Sequence, residues 1–285
     1  MLLDLNTVFH SELLSIRHGI ARPSPDGVSN IECESADLIL LPIKGVFAKH
    51  DGPRQHFIAN PNHGILLGAG RPYRISFLDQ VGDESLVLDF PKEVLASVLV
   101  EAVAGEDFGS SALAPHCLLS PASVMNRELL WRHLRQAVVD SLAVEEISLA
   151  MLTGALQAAS VRGRLSDRGK QSVTMARRRQ QVETVKELIS LHANQDWTLT
   201  SLARHAHTSP FHLARVFREQ VGVPVHRYLI RTRLGKALEA MQSAELDFAA
   251  IAHANGFASH SHFTSSFRSL FGLTPSQSRQ RMAIY

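Results

Sequence analysis

The sequence predicts an α+β chain: a β-sandwich or barrel first, then helices, then an all-α C-terminal part. Three observations predict it. From Leu13 to Phe90, short apolar runs alternate with turn signals about every 8–12 residues. After Phe90 the apolar spacing switches from strand-like to helix-like. In the last 90 residues one segment recurs as a second copy. A length of 285 residues suits two ordinary domains, and 45% hydrophobic with 20% charged residues excludes wholesale disorder.

The candidate strands come first. Ala36–His50 has apolar runs broken by Pro42 and Gly45, and Gln55–Ala59 follows. After the turn Asn60-Pro61-Asn62-His63-Gly64 come Ile65–Gly68, Tyr73–Phe77 and Ser85–Phe90, separated by further Gly-containing turns. No helix of the length a parallel crossover needs lies between them, so the strands form a sandwich or barrel. Tyr73 and Arg74 are the candidate ligand-pocket residues on this framework.

Pro91 opens a helix with Val94, Leu95, Val98 and Leu99 at helical spacing. Ser120-Pro121 opens another, with Val124, Leu130, Leu134, Ala137 and Val138 on one side. A third, from about Val144 to Ala159, carries Ile147, Met151, Leu152, Ala155 and Leu156. That face is wider than one neighbour usually covers: it packs on the barrel, on the preceding helix or on a second subunit, and a homodimer interface is the favoured reading, with packing inside its own subunit the alternative. Residues 161–180 hold seven basic groups, one acid and two glycines, and read as an extended basic linker. The domains are therefore 1–160, the linker 161–180, and 181–285.

Charge divides the chain as well. Residues 1–175 carry a net −5 and residues 176–285 a net +7, which makes the C-terminal part the candidate for a polyanion. The two cysteines, Cys33 and Cys117, support neither a disulfide framework nor a Cys-based zinc site. No run of 18 apolar residues and no basic N-terminal leader is present, so a cytoplasmic protein away from membranes is expected.

The repeat carries the function. Leu202-Ala203, Ala206, Ser209, Leu213, Phe217-Arg218, Gly222 and Pro224 recur as Ile251-Ala252, Ala254, Gly256, Ser259, Phe263, Phe267-Arg268, Gly272 and Pro275. Each copy reads as helix, tight turn, helix. Thr198 or Thr200 caps the first helix, and Ser209 with Pro210 begins the second. With Leu213, Val216 and Phe217 inward, Phe211, His212, Ala214, Arg215 and Arg218 point outward. In the second copy Gly256 permits a left-handed turn and Ser259 caps the helix. Phe263 and Phe267 then point inward, leaving His260, Ser261, His262, Thr264, Ser265 and Arg268 outside. Helix-turn-helix units place that second helix in the major groove of DNA. Between the copies His226–Met241 reads as a rigid connecting helix.

Residues 181–281 resemble the AraC/XylS-type DNA-binding domain. The resemblance rests on Ile251-Ala-x-x-x-Gly-Phe-x-Ser259, Phe263-x-x-x-Phe-Arg268 and Phe271-Gly-x-x-Pro275. It implies a sequence-specific transcription regulator that binds promoter DNA, with Phe211, Ala214, Arg215, His260, Ser261, His262 and Ser265 touching bases. Family members often carry Arg where Ser265 stands, which weakens the base reading expected of the second unit. The N-terminal 160 residues resemble the cupin-like sensor half of such regulators, which implies a homodimer, a small-molecule effector and RNA polymerase as a further partner. The alternative is an N-terminal half that dimerises and binds no ligand.

Rival chemistries are weaker. A metal-dependent cupin enzyme needs a His-x-His pair in the barrel, where His50, His56 and His63 form none. The pairs His205/His207 and His260/His262 lie in the repeats instead. A DNA-repair methyl acceptor needs more than two cysteines. Arg164 and Arg168 resemble the arginine pair of nucleotide-binding PilZ domains, but the companion motif is missing and a solvated linker is the favoured reading. No catalytic residue, metal or cofactor is expected. Trp197 is expected as a lid on the core, and Arg177, Arg178 and Arg179 as general phosphate contacts.

Overall fold

The structure, a computed structural model, describes residues 2–23, 27–52, 55–102, 113–166, 173–242 and 247–284. The chain divides into two compact units, Met1–Arg168 and Gly169–Tyr285. It has the expected α+β fold class.

The first unit begins with nine strands: β1 (Leu2–His10), β2 (Ser15–Arg22), β3 (Glu32–Cys33), β4 (Leu38–Gly45), β5 (Phe47–Gly52), β6 (Gln55–Ala59), β7 (His63–Leu67), β8 (Pro72–Phe77) and β9 (Asp83–Asp89). Then come α1 (Lys92–Ala102), β10 (His116–Leu118), α2 (Pro121–Leu134) and α3 (Ser141–Ser166). The strands build two antiparallel sheets, ordered β1-β2-β9-β4-β7-β10 and β3-β8-β5-β6. Leu38, Leu40, Ile65, Leu67 and Val87 of the first sheet meet Phe47, Phe57, Ala59, Tyr73 and Ile75 of the second in one buried apolar cluster. Alternate residues of each strand supply it, as a pleat requires. Each buried large side chain of this kind contributes about 1.5–3 kcal/mol of transfer free energy.

One buried arginine ties α2 to the strands and to the turn before β7. Arg127 of α2 donates Nη1 to the Pro42 carbonyl at 2.9 Å and to the Pro61 carbonyl, and Nη2 to Glu128. Ser120 caps α2 by accepting from the Ser123 amide at 3.0 Å. The helix stops at Leu134, so Ala137 and Val138 fall outside its expected apolar stripe.

The wide face of α3 overturns one expectation. Val144, Met151, Leu152, Ala155 and Ala159 are each 0% exposed within this chain. The helix packs on α1, α2 and β10, so these five side chains are core rather than a homodimer surface, while Ile147 is half-buried. Ser141–Ser160 is long and apolar enough to cross a membrane by length and composition, and 39% of that window is buried in this chain.

The second unit is all helical: α4 (Val173–Leu191), α5 (Leu199–His205), α6 (Pro210–Val221), α7 (Val225–Ala240), α8 (Phe248–Ala254), α9 (His260–Phe271) and α10 (Pro275–Ile284). Residues 161–180 are not an extended linker throughout, because α3 runs to Ser166 and α4 starts at Val173. Alanine, arginine and glutamine are good helix formers whatever their charge. The Arg164 side chain and Arg168 lie outside the described residues.

Candidate nucleic-acid interface

The two helix-turn-helix units are α5–α6 and α8–α9. Thr198 caps α5 and is reciprocated by Ser201, whose hydroxyl accepts from the Thr198 amide at 3.0 Å. Buried Leu202, Ala203 and Ala206 set α5 against α6. The turn then passes through His207 at φ 50°, a left-handed conformation that costs an L-residue about 1–2 kcal/mol. In the second unit Gly256 takes the same position at φ 76°. Asp247 caps α8, accepting from the Ala249 amide.

The two second helices are built alike. Each has 12 residues, each is capped by a serine hydroxyl accepting from the amide three residues on, and each ends at a left-handed glycine, Gly222 or Gly272. Leu213, Val216 and Phe217 of α6 are buried, as are Phe263 and Phe267 of α9. The remaining faces are open. On α6, Phe211 is 84% exposed, Arg215 and Arg218 are exposed, and His212 and Ala214 are half-buried. On α9, His260, Ser261, His262, Ser265 and Arg268 are exposed and Thr264 is half-buried.

The two faces differ in chemistry. α6 offers a bare phenyl ring and two guanidinium groups. Arg215 donates to Glu219 Oε1 at 2.9 Å, one turn along, so the guanidinium is held by the only carboxylate on that helix. α9 offers two imidazoles, hydroxyls and Arg268. The Ser265 hydroxyl turns back to its own helix and donates to the His262 carbonyl at 3.1 Å.

α7 holds the units together. It packs against α4, α6, α8 and α9, and its Tyr228, Leu229, Leu234, Ala237 and Leu238 are buried. Arg233 of α7 donates Nε to the Ala193 carbonyl at 2.7 Å and Nη2 to the Gln195 carbonyl at 2.8 Å. It thereby clamps the loop between α4 and α5. Burial lowers the Arg233 pKa from its ordinary value, with Asp196 acting the other way. Trp197, half-buried in that loop, donates its indole N–H to the His192 carbonyl at 2.8 Å. On α4, Arg177 is exposed and Arg178 and Arg179 are half-buried.

Sequence reasoning missed Glu219, Arg233 and His207. The first had a signal, an acid four residues after Arg215. The third had one too, since His207 stands 49 positions before Gly256, as Leu202 stands before Ile251. Arg233 had none, because its partners are backbone carbonyls some 40 residues away.

The two candidate pocket residues of the first unit part company. Tyr73 is buried between the sheets, where its hydroxyl donates to Glu34 Oε1 at 2.6 Å and Lys49 Nζ lies 5.0 Å from the ring centre. Burial and then Glu34 raise its pKa far above the usual phenol value. Arg74, the next residue on the strand, is exposed on the opposite face. They do not line one cavity. Among the described residues no group of three or more His, Cys, Asp or Glu side chains is placed to hold a metal ion.

Residues 202–281 match a protein family described as "Helix-turn-helix domain". The HTH-type transcriptional regulator GlxA of Rhizobium meliloti is 40% identical over 82 residues, 29% of this chain and 25% of GlxA. The probable transcriptional regulator LumQ of Photobacterium leiognathi is 25% identical over 224 residues, 75% of this chain and 80% of LumQ. Among solved structures, the C-terminal domain of AraT from Geobacillus stearothermophilus is 30% identical, covering 35% of this chain and 84% of that one, with a TM-score of 0.34. The chain thus spans only a quarter of GlxA. Residues 202–281 match a helix-turn-helix domain, and both helix-turn-helix units lie in the second compact unit.

Proposed function

We propose that this protein is a DNA-binding transcription regulator that reads promoter DNA with two helices, α6 and α9. Phe211, His212, Ala214, Arg215 and Arg218 face one major groove. His260, Ser261, His262, Thr264, Ser265 and Arg268 face the next. The observation that carries this reading is the duplication itself. Two helices with the same length, cap and glycine stop are both anchored to α7, and one carboxylate stands among their outward side chains. A rigid rod between two readers suits grooves one helical turn apart. Arg177, Arg178 and Arg179 add attraction to phosphates.

The first unit, in this reading, senses a small-molecule signal, and RNA polymerase is the downstream partner. A homodimer on paired half-sites would require a surface other than the buried face of α3.

The test is selection of binding sites from random duplex DNA by the full chain, followed by affinity measurement on the enriched sequence. Enrichment of a defined site, with affinity falling steeply between low and high salt, is expected. Failure to enrich any sequence overturns the reading.

A further inference from the structure

Three side chains that can carry positive charge stand in a row across the four-stranded sheet. His50 of β5 lies directly opposite His56 of β6 and directly opposite Arg74 of β8. Residues facing one another on antiparallel strands leave the sheet on the same side. The two imidazoles and the guanidinium therefore share a face, turned away from the core that Phe47, Phe57 and Tyr73 line. The imidazole centres are 5.6 Å apart, and His50 Nε2 is 2.8 Å from Ser76 Oγ. Arg74 is exposed and both imidazoles are partly exposed.

Like charges placed directly opposite destabilise a sheet. With His50 neutral the row avoids that cost, and a bound anion would let the three groups carry charge together. The local backbone fits this. A β-bulge follows His50, and bulges re-aim side chains beside binding sites. The neighbouring carboxylate, Asp51, is drawn into an ion pair with Lys49. Burial, His56 and Arg74 lower the His50 pKa, with Asp51 raising it. His50 thus has a proton to gain when a negative group arrives.

We propose that the row His56–His50–Arg74 binds an oxyanion, the carboxylate or phosphate group of a small molecule. Arg74 supplies a planar fork matched to two oxygens, and His50 and His56 extend the grip. Neighbouring strands are about 4.8 Å apart, so the row spans roughly 10 Å, room for a dianion. The proposal rests on the sensing role of the first unit only in naming the ligand an effector, and the test of the binding site itself needs no DNA.

The experiment follows the imidazole proton signals of His50 and His56 by NMR in the full chain, assigned with H50Q and H56Q. Inorganic phosphate and succinate are titrated separately against sodium chloride at matched ionic strength. The expected result is a saturable shift of both signals at one anion per chain, and a higher titration midpoint for His50 with anion present. R74Q and H56Q each weaken binding at least tenfold, while R71Q, a control on the adjacent turn, leaves it unchanged. Tighter phosphate binding assigns a phosphorylated ligand, and tighter succinate binding a dicarboxylate. Shifts that follow chloride equally, or an R74Q chain that folds and binds as well as the parent, overturn the proposal. Anion binding that leaves DNA affinity untouched keeps the site and refutes its role as an effector site.

Discussion

His207 and Gly256 occupy the same place in two copies of one motif, and only one of them suits it. Both turns pass through left-handed backbone, at φ 50° and 76°. An L-residue there costs about 1–2 kcal/mol, and replacing it with glycine returns roughly 0.5–1 kcal/mol as lost chain entropy. His207→Gly therefore stabilises the second unit by about 0.5–1 kcal/mol. Gly256→Ala adds the reverse of this and a collision. A Cβ at Gly256 would sit 2.7 Å from the Asn194 carbonyl oxygen and 2.8 Å from Asn194 Cα, both backbone. Overpacking of that kind costs about 1–3 kcal/mol, for a total near 2–4 kcal/mol. Thermal unfolding of the full chain followed by far-ultraviolet circular dichroism measures both. For a unit of this size His207→Gly raises the midpoint by about 3–5 °C, and hydrogen exchange localises the gain to α5 and α6. A destabilised His207→Gly chain, or a Gly256→Ala chain as stable as the parent, refutes the reasoning.

Three further outcomes are expected. Arg215→Ala costs roughly 1–3 kcal/mol on the selected site and relaxes preference at one base pair, whereas Glu219→Gln frees the same guanidinium and raises affinity for all sequences while narrowing the gap between right and wrong ones; competition with altered duplexes reads both, and uniform loss from Arg215→Ala demotes that residue to a phosphate contact. Met151→Glu places an unpaired charge at a position 0% exposed, so it unfolds the first unit at a cost above about 3 kcal/mol; a folded monomer by sedimentation and circular dichroism contradicts the packing described. Asp83, buried and accepting a hydrogen bond from Ser85 at 2.6 Å, has its pKa pushed up to about 6 from 3.8, mainly by burial. The folded state therefore holds this proton more tightly, and the stability it contributes at low pH is lost as pH rises from about 4 to 6. Asp83→Asn should then stabilise the chain at pH 7 by up to ~3 kcal/mol and change little near pH 4; equal denaturant midpoints for the two chains at pH 7 would count against it.

The legible parts of the fold were those in which one periodicity meets one boundary signal. α7 begins within a residue of its expected start because Pro224 and an unbroken apolar stripe bracket it. α6 and α9 were legible in the facing of most side chains, since a serine cap sets the phase and the 3.6-residue period does the rest, although His212, Ala214 and Thr264, expected outside, are half-buried. β1 escaped because Leu3–Thr7 are exposed, so no buried face marks the strand. β10 is three residues long, too short to have a period. The role of α3 was misjudged for a different reason. Periodicity reports that a face is apolar and how wide it is, but not whether the covering surface comes from the same chain. Tyr73 and Arg74 were grouped by adjacency, although the alternation of strand residues already sends neighbours to opposite sides. Glu219 was legible from its spacing to Arg215 on one helix, whereas Arg233 meets the Ala193 and Gln195 carbonyls only once the helices have packed.

On the proposed function, the unequal outfitting of α6 and α9 has an evolutionary consequence. A helix that reads with a fixed guanidinium and a bare ring tolerates few changes in its half of the site. A helix of hydroxyls and imidazoles, one hydroxyl folded back on its own backbone, discriminates less. Sites collected from a genome should then be lopsided, with sharply defined letters in the α6 half and blurred ones in the α9 half. New target promoters can be recruited by drift on the permissive side, without any change in the protein.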